Sequence, residues 1–245
     1  MTTLSQVFVS EIIGTGLLTM LGVGVVANVL LPKSKGIALD TGRWNLIAWG
    51  WGLAVYAGVW AAWRSGAHLN PAVTIGIAVT GQEEFVEGVP VNLTSILVYF
   101  AGELVGAFLG AVVAWLAYQN HYQEELDPVL KRATFATVPE IRNYAWNTIT
   151  EVIGTFVLVF VILMLGNSPH ELGPLAVALL VVGIGMSLGG PTGYAINPAR
   201  DLGPRIAHAI LPIRGKGSSD WAYSWVPIVG PLIGGALGGL LATVV

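Results

Sequence analysis

Apolar residues run without a single Asp, Glu, Lys or Arg through Ile12–Leu31, Trp44–Trp63, Leu172–Ala199 and Trp221–Val245. Each run is long enough for a helix to cross a hydrocarbon layer of ~30 Å, which takes roughly 20 residues. The whole pattern predicts six spans, at about 6–31, 45–63, 93–118, 147–166, 172–189 and 222–244. Helix is the expected state, because an open strand in lipid leaves backbone groups unpaired and the alternation of a barrel strand is missing. The first ten residues carry no Lys or Arg. Ile12–Leu31 therefore lacks the basic flank of a cleaved signal peptide and reads as a retained span. Connections are short apart from His121–Tyr144, which is too polar to enter the bilayer and divides the chain into halves.

The halves repeat one another. Glu11-Ile-Ile-Gly14-Thr15 returns as Glu151-Val-Ile-Gly154-Thr155, and His68-Leu-Asn70-Pro71-Ala72 returns as Ala195-Ile-Asn197-Pro198-Ala199. Gly102, Gly106 and Gly110 return as Gly230, Gly234 and Gly238, with the order of all three features kept. Three crossings per half reverse the chain direction, so repeats at about 1–120 and 145–245 sit inverted with respect to each other within one domain, 1–245.

Each Asn-Pro-Ala follows a Gly-containing turn and precedes a stretch of seven to ten residues that is too short to span. Asn is a favoured N-cap and Pro a favoured first helical residue, so each motif predicts the start of a short helix. Inverted symmetry brings the two N-termini together near mid-membrane, each equivalent to ~+0.5 charge. The Asn70 and Asn197 amides then donate to a passing oxygen, which breaks a continuous proton file, and the dipoles repel cations.

Composition narrows the classes further. In 245 residues, 54% are hydrophobic and 10% charged, net charge is −3 and cysteine is absent; mean hydropathy is +0.72. A soluble surface cannot be built from this, a nucleic-acid partner lacks its basic cluster, and disulfides and thiolate sites are excluded. No catalytic motif, metal set or cofactor motif is present, so an enzyme is not expected.

The segments Ser65-Gly66-Ala67-His68-Leu69-Asn70-Pro71-Ala72-Val73-Thr74 and Gly193-Tyr194-Ala195-Ile196-Asn197-Pro198-Ala199-Arg200-Asp201-Leu202-Gly203-Pro204-Arg205 resemble the two pore loops of the aquaporin, or major intrinsic protein, family. The resemblance implies an all-α membrane protein with six transmembrane helices and two half-helices, one pore per subunit, a homotetramer in the cell membrane, and both termini in the cytoplasm. Asp201, Arg205, Pro227 and Ile228 match the glycerol facilitator branch. For that branch the resemblance places the selectivity constriction at Trp51, Gly185, Tyr194 and Arg200. Gapless counting from Asn70 gives Gly50 in place of Trp51, and Tyr194 stands where the branch usually has Phe. Gly185 is expected to leave room for carbon.

Other residues have quieter readings. Glu11 and Glu151 are read as acceptors for the broken-helix loops rather than as proton relays. His68 is read as a packed, hydrogen-bonded loop residue, with pH gating as its alternative. Glu103 receives no function. The Gly-x-x-x-Gly runs are read as close packing within the subunit, and the tryptophans other than Trp51 as interface anchors.

The expected activity is passive conduction of glycerol, water and similar small neutral solutes across the lipid bilayer, with ions and protons excluded. Alternatives are a channel mainly for water or an undissociated acid such as lactic acid, a secondary transporter, or a structural membrane assembly. The segments 32–44, 119–146 and 190–221 hold ten of the eleven Lys and Arg. Cytoplasmic termini put them outside, against the positive-inside rule.

Overall fold

The computed structural model describes residues 1–38, 42–169 and 172–245. Residues 39–41 of the expected loop 32–44, and 170–171 between the fourth and fifth spans, lie outside the described residues. The helices in chain order are α1 (Leu4–Leu30), α2 (Arg43–Ala61), α3 (Pro71–Ala78), α4 (Leu93–Ala117), α5 (Gln119–Tyr122), α6 (Pro128–Ala133), α7 (Tyr144–Asn167), α8 (Pro174–Leu188), α9 (Pro198–Ile210) and α10 (Val226–Ala242). A two-stranded antiparallel ribbon, β1 (Glu84–Val86) with β2 (Val89–Pro90), follows α3. By length and apolarity, α1, α4 and α7 can each cross a membrane unaided, while α8 and α10 are shorter apolar helices.

The six long helices coincide with the six expected spans to within a few residues. The second short helix departs from expectation, because α9 runs for 13 residues. Pro204 sits inside it, and the lost N–H is tolerated among buried neighbours that include Arg205 and His208. The loop 121–144 carries α6, and Lys131 is buried with its ammonium donating to Tyr122 O at 2.8 Å and Arg214 O at 2.5 Å.

Hydrophobic burial gives little drive for helices to associate in lipid, so close backbone approach must do it. The glycine runs supply that approach. A Cβ on Gly102 would stand 2.9 Å from Phe8 O, and one on Gly106 would overlap Ile12 O, both in α1. In the second half, a Cβ on Gly230 would stand 2.7 Å from Glu151 Cβ, and one on Gly238 would stand 2.9 Å from Phe156 O, both in α7. Thus α4 lies on α1 and α10 on α7, the two largest helix contacts. The short helices cross over: α3 packs chiefly on α10, and α9 on α4. Gly235 of α10 faces the Ala72 carbonyl, and Gly203 of α9 faces Ala107 and Phe108 of α4. Neither half can be detached without uncovering a short helix.

Candidate functional site

The two Asn-Pro-Ala elements meet. Asn70 caps α3, its Oδ1 accepting from Ala72 N at 2.9 Å, and Asn197 caps α9, its Oδ1 accepting from Ala199 N at 3.0 Å and Arg200 N at 3.1 Å. Pro71 and Pro198 occupy the first helical position behind these caps. Each amide then reaches across: Asn70 Nδ2 donates to Ile196 O and Asn197 Nδ2 donates to Leu69 O, both at 2.7 Å. An amide NH2 has two hydrogens. One is spent on the opposite loop, which leaves one on each Asn for whatever occupies the cavity that both residues line. Ala72 and Ala199 are buried where a larger side chain would part the helices.

The loops leading into the caps are strained in the same way. Ala67 and Leu69 have φ of 54° and 55°, while Tyr194 and Ile196 have φ of 39° and 42°. Left-handed backbone at Leu and Ile is costly and persists only where the surroundings impose it. Two carboxyls impose it. Glu11 accepts from Ser65 Oγ (2.6 Å), His68 N (3.0 Å) and Leu69 N (2.7 Å). Glu151 accepts from Thr192 Oγ1 (2.6 Å), Ala195 N (3.0 Å) and Ile196 N (2.8 Å). In a trans peptide the carbonyl points opposite the N–H. Turning these amides toward the glutamates therefore turns the Ala67, His68, Tyr194 and Ala195 carbonyls away from them, on segments that line the cavity.

Replacing Glu11 or Glu151 with Gln is expected to lower folded yield, because a carboxamide sets an NH2 against one of these backbone donors, at ~1–3 kcal/mol per mismatch. The pH profile of flux per folded molecule should stay as in the parent. A flattened profile at full yield, read by size-exclusion chromatography and vesicle flux, would restore a proton-relay role.

The cavity has a volume of about 160 Å³, well above the ~10–15 Å³ that one water requires. Leu18 of α1, Val55 and Val59 of α2, Leu158 and Ile162 of α7 and Val181 of α8 line it with apolar side chains, and the loops, Asn70, Asn197 and Arg200 bring polar groups to it. Trp51, Tyr194 and Arg200 all line it. The Arg200 guanidinium lies over the Trp51 ring, 3.9 Å from its centroid, and Nη1 donates to Phe135 O at 3.3 Å. Gly50 instead faces α1, where a Cβ would stand 2.7 Å from Val25 Cβ.

Gly185 stands differently from its sequence reading. A Cβ there would meet Tyr194 Cζ at 2.8 Å and Oη at 2.9 Å, so its vacant side takes the Tyr194 ring rather than solute carbon. Trp44 is correspondingly more than an anchor: its Nε1 donates to Gly185 O at 2.8 Å, and its ring packs edge-on against Tyr194.

Of the remaining predicted residues, His68 lines the cavity and the others do not. Asp201 and Arg205 form a buried pair, with Arg205 Nε donating to Asp201 Oδ1 at 2.8 Å. Asp201 also accepts from Thr137 N (2.8 Å) and Oγ1 (2.6 Å), and Arg205 donates to Ser219 O (2.8 Å). The pair ties the long loop between α4 and α7 and the segment before α10 onto α9. Pro227 and Ile228 lie in the first turn of α10, buried and half-buried. His68 lines the cavity with Nδ1 on Thr74 Oγ1 at 2.9 Å and its ring stacked on Tyr99 at 4.0 Å. Sequence reasoning gave no role to Phe135 and Thr137, which reach α9 from the long loop, or to Ser65, Thr74 and Thr192, which lie in or beside the pore loops and act as small hydrogen-bonding partners there. Outside the membrane, Asp220 binds Arg142 and Arg132. Burial works against its ionisation, but the Arg142 hydrogen bond and the arginine charges outweigh it and hold the carboxyl below its usual range.

Two capped short helices meeting beside an amphipathic cavity, inside a bundle of apolar helices, define a multi-pass membrane protein of the channel class. The sequence matches the family described as Major intrinsic protein over residues 1–242 and belongs to it. It is 53% identical over 237 residues to "Glycerol uptake facilitator protein 3" of Lactiplantibacillus plantarum, covering 96% of this chain and 94% of that one. It is 50% identical over 236 residues to "Glycerol uptake facilitator protein" of Bacillus subtilis, covering 95% and 82%. Among solved structures it is similar to the aquaglyceroporin from Plasmodium falciparum, with a TM-score of 0.81 at 30% identity over 98% of this chain and 95% of that one.

Proposed function

We propose that the chain is a passive channel, not an enzyme, for glycerol and similar small uncharged solutes together with water. The observation that carries this reading is a cavity lined by both apolar side chains and polar groups. Carbon–hydrogen surface is accommodated along Leu18, Val55 and Val181, and hydroxyls meet the loop carbonyls, the spare Asn70 and Asn197 hydrogens and Arg200. The relatives named as glycerol uptake facilitators support the solute class. Trp51, Tyr194 and Arg200 form the selective ring, with Gly185 acting through Tyr194. A hydroxylated solute gains the guanidinium as donor while the Trp51 stack, worth ~0.5–2 kcal/mol, is exchanged for solute contact. Water and protons part company at Asn70 and Asn197, where oxygens are held as acceptors.

The test is a panel of light-scattering permeabilities in proteoliposomes. Glycerol and water should cross far faster than through protein-free lipid, and ions should not. Trp51→Ala is expected to admit larger polyols at near-normal yield, whereas Gly50→Ala, which collides with Val25, should lower yield and leave the size cut-off alone. The reverse pattern would put Gly50 on the pore.

The assembly is read as a homotetramer in the cell membrane, with exposed apolar faces on α2 (Trp49, Leu53, Trp60) and α8 (Leu175, Leu179, Met186) available to neighbouring subunits and lipid. Both termini are placed in the cytoplasm. Support comes from how the cations of the opposite face are used: Lys33 pairs with Glu124, Lys131 and Lys216 donate to backbone carbonyls, and Arg132, Arg142 and Arg205 are held by acidic partners. They serve the folded loops there. Label access to each terminus in intact cells reads the orientation.

A further inference from the structure

Glu103 is fully buried in the middle of α4, outside the set of residues that hold the pore loops. Its Oε1 lies 3.0 Å from Thr74 Oγ1, and its Oε2 is buried without a hydrogen-bond partner among the described residues. Thr74 Oγ1 in turn lies 2.9 Å from Nδ1 of His68, whose ring lines the cavity. We propose that Glu103 is a positioning residue for the pore: acting through Thr74, it sets whether His68 offers the passing solute a donor or an acceptor.

Thr74 has a single hydroxyl hydrogen, and three acceptors lie within reach of it: His68 Nδ1 at 2.9 Å and Glu103 Oε1 at 3.0 Å compete for it closely, and Asn70 O, one turn back in its own helix, stands farther off at 3.4 Å. If Glu103 is a carboxylate, Thr74 donates to it and must accept from His68 Nδ1–H, so that Nε2 is a bare acceptor. If Glu103 is the acid with its proton on Oε1, it donates to Thr74, Thr74 donates to Nδ1, and Nε2 carries the hydrogen. The second arrangement pairs the Glu103 and Thr74 donors within the protein and leaves the His68 Nε2–H for whatever occupies the cavity. The first leaves a charge in the membrane interior with one oxygen unpaired, which is costly. An acid protonated on Oε2 instead leaves a buried O–H with nothing to accept it.

The surroundings reinforce the second arrangement. From α1, Glu11 faces the same region, already supplied with donors by Ser65, His68 and Leu69. From α4, Tyr99 stacks on the His68 ring and gives its hydroxyl to Ser65 O at 2.5 Å, and from β1 Phe85 packs edge-on against the ring. The backbone amide of Asn70 is the one further polar group bearing on the Glu103 carboxyl, and as a donor it favours the carboxylate, against the burial and the Glu11 carboxyl that favour the acid. His68 is thus clamped in the plane that puts Nδ1 on Thr74, and its only freedom is which nitrogen holds the hydrogen. With Nε2–H, His68 extends the row of donors begun by Asn70 and Asn197, so that solute oxygens are met as acceptors on the α3 side as well.

The inference rests on the cavity being the permeation path, and its test separates the two. Protein labelled with ¹⁵N-histidine, reconstituted in lipid at pH 7, is read by magic-angle-spinning NMR, with the His68 signals identified by their loss in His68→Gln. Nε2 should be protonated, and Nδ1 should be unprotonated and shifted by an accepted hydrogen bond. Thr74→Val, close to isosteric, should abolish that Nδ1 shift. Glu103→Gln, whose amide can still donate to Thr74, should keep it. An infrared carboxylic-acid band present in the parent and missing in Glu103→Gln is the matching signature. In vesicles, Thr74→Val and Glu103→Leu should change the glycerol-to-water permeability ratio by about fivefold, the effect of one net hydrogen bond, with Glu103→Gln close to the parent. A proton on Nδ1 in the parent, or a ratio unchanged in Thr74→Val at normal yield, overturns the proposal even if Glu103→Leu fails to fold. Absent glycerol flux in the parent, with the NMR signature intact, would instead overturn the assignment of the cavity as a glycerol path.

Discussion

Asn197→Asp is expected to cut solute conduction at least tenfold, to lower folded yield, or both. The Asn197 amide performs two tasks at once: its oxygen caps α9 through Ala199 and Arg200, and its nitrogen donates to Leu69 O at 2.7 Å. An ionised Asp keeps the first task and reverses the second, setting an anion against a carbonyl, a mismatch of ~1–3 kcal/mol, in addition to the ~2.5–3.5 kcal/mol that insertion scales assign to a charge at mid-membrane. A protonated Asp recovers the contact with Leu69 but loses the spare hydrogen that faces the cavity. Asn70→Asp should behave alike through Ile196 O. Flux and membrane yield measured together decide it, and parent-like values of both for the two variants would remove the Asn pair from the pore.

The second large effect is expected at Gly185. The Tyr194 ring is enclosed by Gly185, by Gly189, where a Cβ would stand 2.6 Å from its Cδ1, and by the edge of Trp44. Any side chain at 185 drives the ring toward the space it lines, beside Trp51 and Arg200. Gly185→His should therefore reduce glycerol permeability by at least tenfold and far more than water permeability, which equals ~1.4 kcal/mol in the barrier and lies within the ~1–3 kcal/mol typical of overpacking. Gly185→Ala should already lower the glycerol-to-water ratio, and adding Tyr194→Leu should restore it, because the smaller residue removes the collision. A ratio untouched by Gly185→His would mean that the selective ring lies elsewhere.

That second case illustrates what a sequence can and cannot convey here. The spans were legible because lipid demands unbroken apolar runs of fixed length, and the short helices were legible because Asn-Pro announces a cap wherever it occurs. Pairing the repeats told that Glu11 and Glu151 do the same thing. What they do depends on backbone amides of His68, Leu69, Ala195 and Ile196, and a backbone donor leaves no mark in residue identity. The register at Trp51 against Gly50 is of the same kind: one residue of helix rotation decides whether the indole meets Arg200, and the packing of Gly50 on Val25 and of the Trp51 ring on Gly22, both in α1, fixes it. Gly185 read as empty space, because a sequence cannot say that the Tyr194 ring fills it. The length of α9 was hidden by its polar residues, Arg200, Asp201, Arg205 and His208, whose partners come from the loop around Phe135 and Thr137 and from Ser219.

The central claim is that the cavity conducts uncharged solute passively. Its most direct test is glycerol uptake into proteoliposomes, followed by light scattering, before and after ionophores collapse the membrane potential and the pH gradient. The account predicts rapid uptake that is the same in both states, with no proton movement accompanying it and with loss of uptake in Asn197→Asp. Uptake that vanishes when the gradients collapse, or a glycerol permeability no greater than that of protein-free vesicles, would contradict it.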